Sequence, residues 1–529
     1  MSAWRRRVAA TASAVVVLAL GGGVVVLDRL DPVGATRPAL VTPVQVAAAP
    51  VSLVCPGPVQ LPKSSGDAGF DPAPVGAITS VRAATTGTGT SGAGSGTAAP
   101  GLLTDLAGAA TWARITPTTT DAATTALSAP TAPVLLTADP VNGRAPRVSG
   151  TSTSLVTAGD LRGLAATTCT PAGTDAWLVG GSTTVSSTAL LTLANPGSTA
   201  ASVDLEIWGP NGPATLSGGS ALLVAPHGQR QLLLSGVAAE QRRIVVHVSS
   251  TGGLVAASLQ DDALSGLTPG GLTFVSPGSA PATRQVVTGI TVPTSAIADA
   301  DQAALRLVAP GGTATTAAIS LLGPDGVVPL PGAESVDLPA GAVIDVPLAG
   351  IPAGSYTAVV RADVPVLAGA MITRIGSAGQ LENQQVIDRA WIAAGTVAAG
   401  GVAALPSAPG VASTIVLGGV GRAAAGDGRD ATGTLRAFAA DGSVLGDTTV
   451  TVPAGQTVTV PVSDLGAQAV AVELVPDADP SGTAAQLAWA VVATSTQADG
   501  QLVAVLTPAP PQDAAPSVRV RQGTGVGLP

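Results

Sequence analysis

Aromatic side chains are almost absent: Phe, Trp and Tyr together make up 2% of the 529 residues. Hydrophobic cores must then be built from Val, Leu, Ile and Ala. The exposed aromatic faces on which sugar rings and quaternary ammonium groups usually rest are in short supply too. Charge is also scarce, at 11% of residues, and it is unbalanced, with a net −9 and a pI near 4.7. Lys63 is the only lysine. An acidic chain repels phosphate backbones, which argues against nucleic acid as a partner.

The residue types that usually carry catalysis are few. Histidine occurs twice, as His227 and His247. His227 fills a turn position that Ala340 and Ala454 fill elsewhere, so it reads as a surface turn residue. His247 corresponds by spacing to Arg361 and Glu473, and a strand position that takes His, Arg and Glu reads as solvent-facing. Gly87, Gly89 and Gly92 match Gly-x-Gly-x-x-Gly but sit inside low-complexity sequence, without the strand and helix a dinucleotide site needs. Serine-hydrolase elbows, zinc-protease helices, Cys-x-x-Cys pairs and Walker loops are missing.

Asp477-Ala478-Asp479-Pro480-Ser481-Gly482 imitates the start of a calcium loop, but the glutamate due at its twelfth position is Ala488. It reads as a hairpin loop. Asp261, Asp262, Asp427 and Asp430 could bind calcium between domains, although solvated loops are the default. The expectation is no catalytic residue, no cofactor, no metal and no enzyme; a hydrolase using acidic groups at a domain boundary is the weakest alternative.

Cysteine is limited to Cys55 and Cys169. Outside the cytoplasm an isolated pair reads as one disulfide, closing a long loop. A compartment that allows it is implied by the first long apolar run. Val8–Leu27 carries no charge, follows Arg5, Arg6 and Arg7, and at 1.5 Å per residue spans about 30 Å as a helix. The arginines place residues 1–7 in the cytoplasm and the bulk of the chain outside. A cleaved secretory signal is the rival reading, but the nearest small-residue site, Ala47-Ala48-Ala49, lies far downstream and precedes Pro50.

Residues 28–50, with Pro32, Pro38, Pro43 and Pro50, read as an extended stalk. Residues 51–174 read as a β-rich domain tied start to end by the disulfide, with a flexible Gly/Ser/Thr tract at 85–100. From residue 175 the chain repeats itself at intervals of about 110 residues. Apolar strands open each copy at Trp177, Val286 and Trp391. Alternating strands run into Asn211-Gly212, Asp325-Gly326 and Asp441-Gly442, dipeptides that supply the positive φ of tight turns. Pro-x-Gly turns follow at Pro226, Pro339 and Pro453. After the last of these, Val458, Val460 and Val462 alternate with Thr457, Thr459 and Pro461, the period of a half-buried strand.

About seven short strands per copy predict immunoglobulin-like β-sandwiches at 175–283, 284–388 and 389–507, followed by a flexible tail at 508–529. The fold class expected is mainly β: one transmembrane helix, then tandem sandwich modules.

The order Cys169, Trp177-Leu178-Val179-Gly180-Gly181, Leu191-x-Leu193-x-Asn195-Pro196, Asn211-Gly212 and the Pro-x-Gly strand resembles a family of membrane-anchored actinobacterial proteins known only as a domain of unknown function. The resemblance covers the chain from the anchor to about residue 507. It implies an envelope protein, often encoded beside a large membrane glycosyltransferase, and supplies no catalytic residues. Two functions follow as expectations. The first is a non-enzymatic, membrane-anchored scaffold that contacts cell-envelope proteins. The second is an accessory to the machinery that assembles cell-surface polysaccharide.

Overall fold

A computed structural model describes residues 41–45, 48–61, 76–87, 97–118, 121–218, 220–299, 302–330, 332–378, 383–508 and 517–521. Val8–Leu27 and most of the Gly/Ser/Thr tract lie outside these. Among the described residues no helix is long and apolar enough to cross a membrane.

The chain divides into two compact units. One holds residues 1–48 and 514–529; in it Val41–Gln45, within the stretch read as a stalk, pairs antiparallel with Ser517–Arg521 of the stretch read as a tail. The other unit, Ala49–Asp513, carries the remaining strands, and its strand pairing is antiparallel throughout the named sheets.

Four copies of one plan fill the larger unit. The first uses Val51–Cys55, Ile78–Thr86, Gly101–Thr104, Thr111–Ile115, Ala122–Ser128, Val134–Ala138, Arg147–Val156 and Gly163–Thr168 as strands one to eight. Strands one, six, three and four form one sheet in that order; strands five, two, seven and eight form the other. The same two orders return in residues 175–275, 282–393 and 401–506, the second, third and fourth copies. In the third copy, strands six and seven fuse into Gly354–Ala378, which serves both sheets. The disulfide-bearing segment is therefore a copy of the repeat that begins, at the level of sequence, only at residue 175.

The turns behave as their residues require. Gly212, Gly326 and Gly442 have φ of 109°, 123° and 87°. At the Pro-x-Gly turns Gly341 and Gly455 take positive φ, whereas at the first it is His227 that does so, with φ 53°.

Two expectations change. Trp391 does not open the fourth copy. It lies in Gln385–Ala393, the closing strand of the third, paired with Gly354–Ala378. The short strand Gly401–Ala404 opens the fourth. An apolar run containing Trp fits either place, and local pattern does not distinguish them. The tract at 85–100 is also not wholly loose: Thr85 and Thr86 finish a buried strand, and the Thr85 hydroxyl donates to the Ala99 carbonyl at 2.7 Å.

The copies close head to tail. The sheet of strands one, six, three and four in each packs on the second sheet of the next. Val54, Leu106 and Leu135 meet Ala194 and Ala256. Val179, Trp208 and Val245 meet Val308, Val343 and Leu367. Val286, Leu322 and Val359 meet Val420 and Ala488. Val402, Phe438 and Ala471 of the fourth copy then meet Ala84 and Ala122 of the first, which completes a ring. A head-to-tail interface that returns to its start has no free end to grow from. Inside the ring the closing strands lie side by side in a cycle, first to second to third to fourth and back to first.

Cores also cross the junctions. That of the third copy takes in Val416, Val492 and Val503 of the fourth; that of the fourth takes in Leu155 and Leu164 of the first. At the fourth-to-first junction the contact is partly polar. The Thr151 hydroxyl donates to the Ala404 carbonyl at 2.6 Å, and the Ala404 N–H donates to Ser149 Oγ at 3.3 Å. Those two hydroxyls occupy backbone groups of Gly401–Ala404, the edge of its sheet, where an exposed ladder would otherwise invite another strand.

Cys55 and Cys169 form the disulfide. A side chain at Gly150 would meet both sulfurs, at 2.6 Å and 3.2 Å, so only glycine fits beneath the bridge.

Candidate functional site

The strongest concentration of buried charge lies where the closing strands meet. In Gln385–Ala393 the even positions point into the structure, and Val386, Asp388, Ala390 and Ile392 are all buried. Three of these are apolar; Asp388 is fully buried. The Val503 N–H donates to its Oδ2 at 2.7 Å, the Leu164 N–H to the same oxygen at 3.4 Å, and the Leu272 N–H to Oδ1 at 3.4 Å. One carboxyl thus takes backbone hydrogen bonds from the closing strands of the other three copies. The approach is close enough that a side chain at Gly163 would fall 2.7 Å from Asp388 Oδ1. Burial pushes the Asp388 carboxyl up to about 7, against the opposing pull of the Val503 and Leu272 N–H groups and the Arg162 charge.

Arg162, 2% exposed, sits nearby in the turn before the first closing strand. Its guanidinium grips Asp499 in a bidentate pair at 2.7 and 2.8 Å. The Asp499 carbonyl accepts the Ser377 N–H at 2.8 Å. Turns of the first, third and fourth copies are thereby tied together.

On the opposite side of the same strand, Arg389 and Trp391 face the second copy. Trp391 Nε1 donates to Asp261 Oδ2 at 2.8 Å, and Arg389 Nη2 stands 3.6 Å from that oxygen. Asp261 is 1% exposed. Its neighbour Asp262 accepts from Gln260 Nε2 at 2.9 Å; burial pushes its carboxyl up to about 6, offset in part by that bond. Arg306 stacks 4.4 Å from the Trp391 ring, pairs with Asp345 at 2.8 and 2.9 Å, and donates to the Gly181 carbonyl at 2.7 Å. Beside this cluster opens a cleft of about 830 Å³ between the second and third copies, with Ser186 and Ser265 on one wall and Thr373, Ile375 and Arg389 on the other.

The histidines are not near this place. His227 is an exposed turn residue whose Nδ1 lies 3.3 Å from the Leu106 carbonyl oxygen. His247 is not solvent-facing as its spacing suggested. Its side chain is 14% exposed, stacked 3.9 Å from the Trp177 ring, with Nδ1 2.9 Å from Glu206 and Nε2 2.6 Å from Asp175. The matching Glu473 is 3% exposed and accepts from Thr86 at 2.8 Å and Arg147 at 3.2 Å across the fourth-to-first junction. Arg361 likewise donates to the Arg422 carbonyl of the fourth copy at 3.3 Å. In the third and fourth copies this position thus reaches a neighbouring copy, which one repeat cannot show. His247 is instead covered by Trp177, Asp175 and Glu206 of its own copy.

Asp261 and Asp262 lie in the second copy, Asp427 and Asp430 on exposed positions of the fourth, so the four carboxylates do not come together. Among the described residues no group of three or more His, Cys, Asp or Glu is placed to hold a metal. The segment Asp477–Gly482 is not a hairpin loop: it links Ala471–Pro476 in one sheet to Gln486–Gln497 in the other. Within it Asp479 accepts from Ser481 at 2.7 Å and from the Ala484 N–H at 2.9 Å, and the serine bond holds its carboxyl down at about 2.

Sequence reasoning did not single out Asp388, Arg389, Arg162 or Thr373. The one available signal was the charged pair Asp388-Arg389 interrupting the apolar strand that ends Trp391-Ile392-Ala393.

No curated protein matches the sequence. A solved structure described as "Biofilm associated protein - BSP domain" aligns over 92% of this chain and 100% of its own, at 10% identity and a TM-score of 0.11. The profile described as "Family of unknown function (DUF5719)" matches residues 118–463, from inside the first copy to inside the fourth, and the chain belongs to that family.

Proposed function

We propose that this is a non-enzymatic cell-envelope protein, anchored by Val8–Leu27 and displaying the four-copy ring outside the membrane as a scaffold for contacts with other envelope proteins. The observation that carries this reading is where the charged side chains are used. Arg162–Asp499, Arg306–Asp345, Arg147–Glu473 and the Asp388 carboxyl are each engaged in joining one copy to another or in holding a residue that does. Groups committed to such ties are held in place by the fold, as a rigid display surface needs. The Cys55–Cys169 bond supports an oxidising compartment.

A photo-crosslinking residue placed at the exposed positions Val185, Leu223 and Val327 tests the reading in living cells. A reproducible envelope partner is expected at one or more of them. Silence at all three would remove the scaffold role. The family resemblance supports a narrower version, in which the partner belongs to the glycan-assembly machinery. Deleting the gene should then change surface glycan composition, and unchanged glycans would leave only the general form.

A further inference from the structure

Arg82, in strand two of the first copy, and Arg306, in strand two of the third, stand at matching places. Two residues on from each, Ala84 and Val308 pack against the preceding copy of the ring. Each arginine sends Nη1 to a backbone carbonyl just past strand one of that copy, Arg82 to Leu405 at 3.3 Å and Arg306 to Gly181 at 2.7 Å. The difference lies across the strand pair. Opposite Arg306 is Asp345, whose two carboxylate oxygens accept from Nε and Nη2 at 2.8 and 2.9 Å. Opposite Arg82 is Ala126, which is exposed. Arg82 Nη2 donates to Ser407 Oγ at 2.8 Å, a neutral acceptor. Its Nε makes no hydrogen bond, and, in a residue only half-buried, that nitrogen is not sealed from solvent. Burial lowers the pKa of the Arg82 guanidinium from its ordinary value. Among the described residues no carboxylate pairs with it.

We propose that the cleft at Arg82 binds a small organic acid through its carboxylate, which takes the role at Arg82 that Asp345 plays at Arg306. The cleft lies between the first and fourth copies, and its volume of about 620 Å³ falls in the range of formed ligand sites. Arg82 is the one charged residue among those lining it, so its field there is uniformly positive, in a chain whose net charge is −9. A planar guanidinium with a free Nε matches a carboxylate edge to edge, as the Arg306–Asp345 pair does within this same chain. The Ser128 hydroxyl and the Gln468 amide also line the cleft, and both can donate to an oxygen of the ligand. Pro406, Ala408 and Val411 supply an apolar wall for its carbon skeleton. The inference goes beyond the scaffold reading and does not depend on it.

The test sets the full-length protein against small organic acids (acetate, lactate, succinate and N-acetylalanine), each beside its amide, with inorganic phosphate in parallel. Saturation-transfer NMR detects binding and titration ranks it. At least one acid should bind, and its amide should bind about tenfold more weakly. Two variants place the binding. Arg82→Gln removes the cation. Ala126→Asp keeps the cation and supplies a carboxylate from the facing strand, so that the chain fills its own site. Both should weaken binding of the acid by about tenfold. Ala126→Asp should melt no lower than wild type, because the position is exposed and faces an arginine across the strand pair. That variant therefore separates lost binding from lost folding even if Arg82→Gln loosens the junction. Acids and amides held alike, acid binding unchanged by Ala126→Asp, phosphate preferred to every acid, or no acid bound would each overturn the proposal. The scaffold role is tested separately, since the crosslinking positions lie outside this cleft.

Discussion

Burial and hydrogen bonding act on the Asp388 carboxyl in opposite directions. Three backbone N–H groups and the Arg162 charge favour the carboxylate, full burial opposes it, and burial is the larger effect, leaving the group at about 7 against an ordinary 3.8. Between roughly pH 4 and pH 7 the folded chain holds a proton that the unfolded chain has released. Stability from this group is then fully present below about pH 4, falls as pH rises toward 7, and levels off above it. A shift of about three units corresponds to roughly 4 kcal/mol as an upper figure. Asp262, raised to about 6, adds a smaller decline of the same sign. Urea unfolding at several pH values, in an Asp262→Asn background, should show a fall from pH 4.5 to 8 that Asp388→Asn flattens. Equal slopes with and without Asp388 would rule this out. Gly442 gives a second prediction at this scale. Its φ of 87° suits glycine and strains a β-branched residue. Gly442→Val should cost about 1–3 kcal/mol in the same assay.

At the scale of elements, what could be read from sequence were the features that repeat locally. Period-two alternation marks Ala201–Gly209, where buried Val203, Leu205 and Ile207 alternate with exposed Ser202, Asp204 and Glu206. Asn-Gly, Asp-Gly and Pro-x-Gly mark the turns. The closing strands escaped because an apolar run such as Trp391-Ile392-Ala393 looks the same whether it opens or ends a copy. The first copy escaped for a different reason. Its seventh strand, Arg147–Val156, is rich in Ser and Thr and carries no apolar alternation, yet Ser149, Thr151, Ser152, Thr153 and Ser154 are all buried. The hydroxyls of Ser149, Thr151 and Thr153 are placed by backbone partners in the fourth copy, which no local pattern announces, while those of Ser152 and Ser154 bond Pro56 and Thr79 of the first copy. The cysteines could be paired from their number alone. Their bond closes a loop of 114 residues that spans this copy. By loop entropy its removal should destabilise the unit by on the order of 4–5 kcal/mol. Reduction should therefore lower the melting temperature markedly, and an unchanged melt would mean that the unfolded chain is little constrained by the bridge.

For the molecule as a whole the question is whether four copies unfold as four domains or as one. The sequence pattern suggests beads, since each copy has length enough for its own core. The structure argues otherwise, because every copy covers one neighbour and is covered by the other, and three of the cores include residues from the following copy. Loss of any one copy would strip apolar surface from both of its neighbours and break the hydrogen bonds that meet at Asp388. Exposed area of that kind is worth about 25 cal/mol per Å², so partly unfolded rings should be poorly populated. Calorimetry on the full chain is expected to show a single endotherm for the larger unit, with a van't Hoff enthalpy close to the calorimetric one. Asp388→Leu, which removes the shared acceptor while keeping the site apolar, should lower that transition and broaden it, because N–H donors of the other three copies lose their partner. Three or four separable endotherms in wild type would instead mean that the junctions contribute little. The copies would then be independent modules that merely touch.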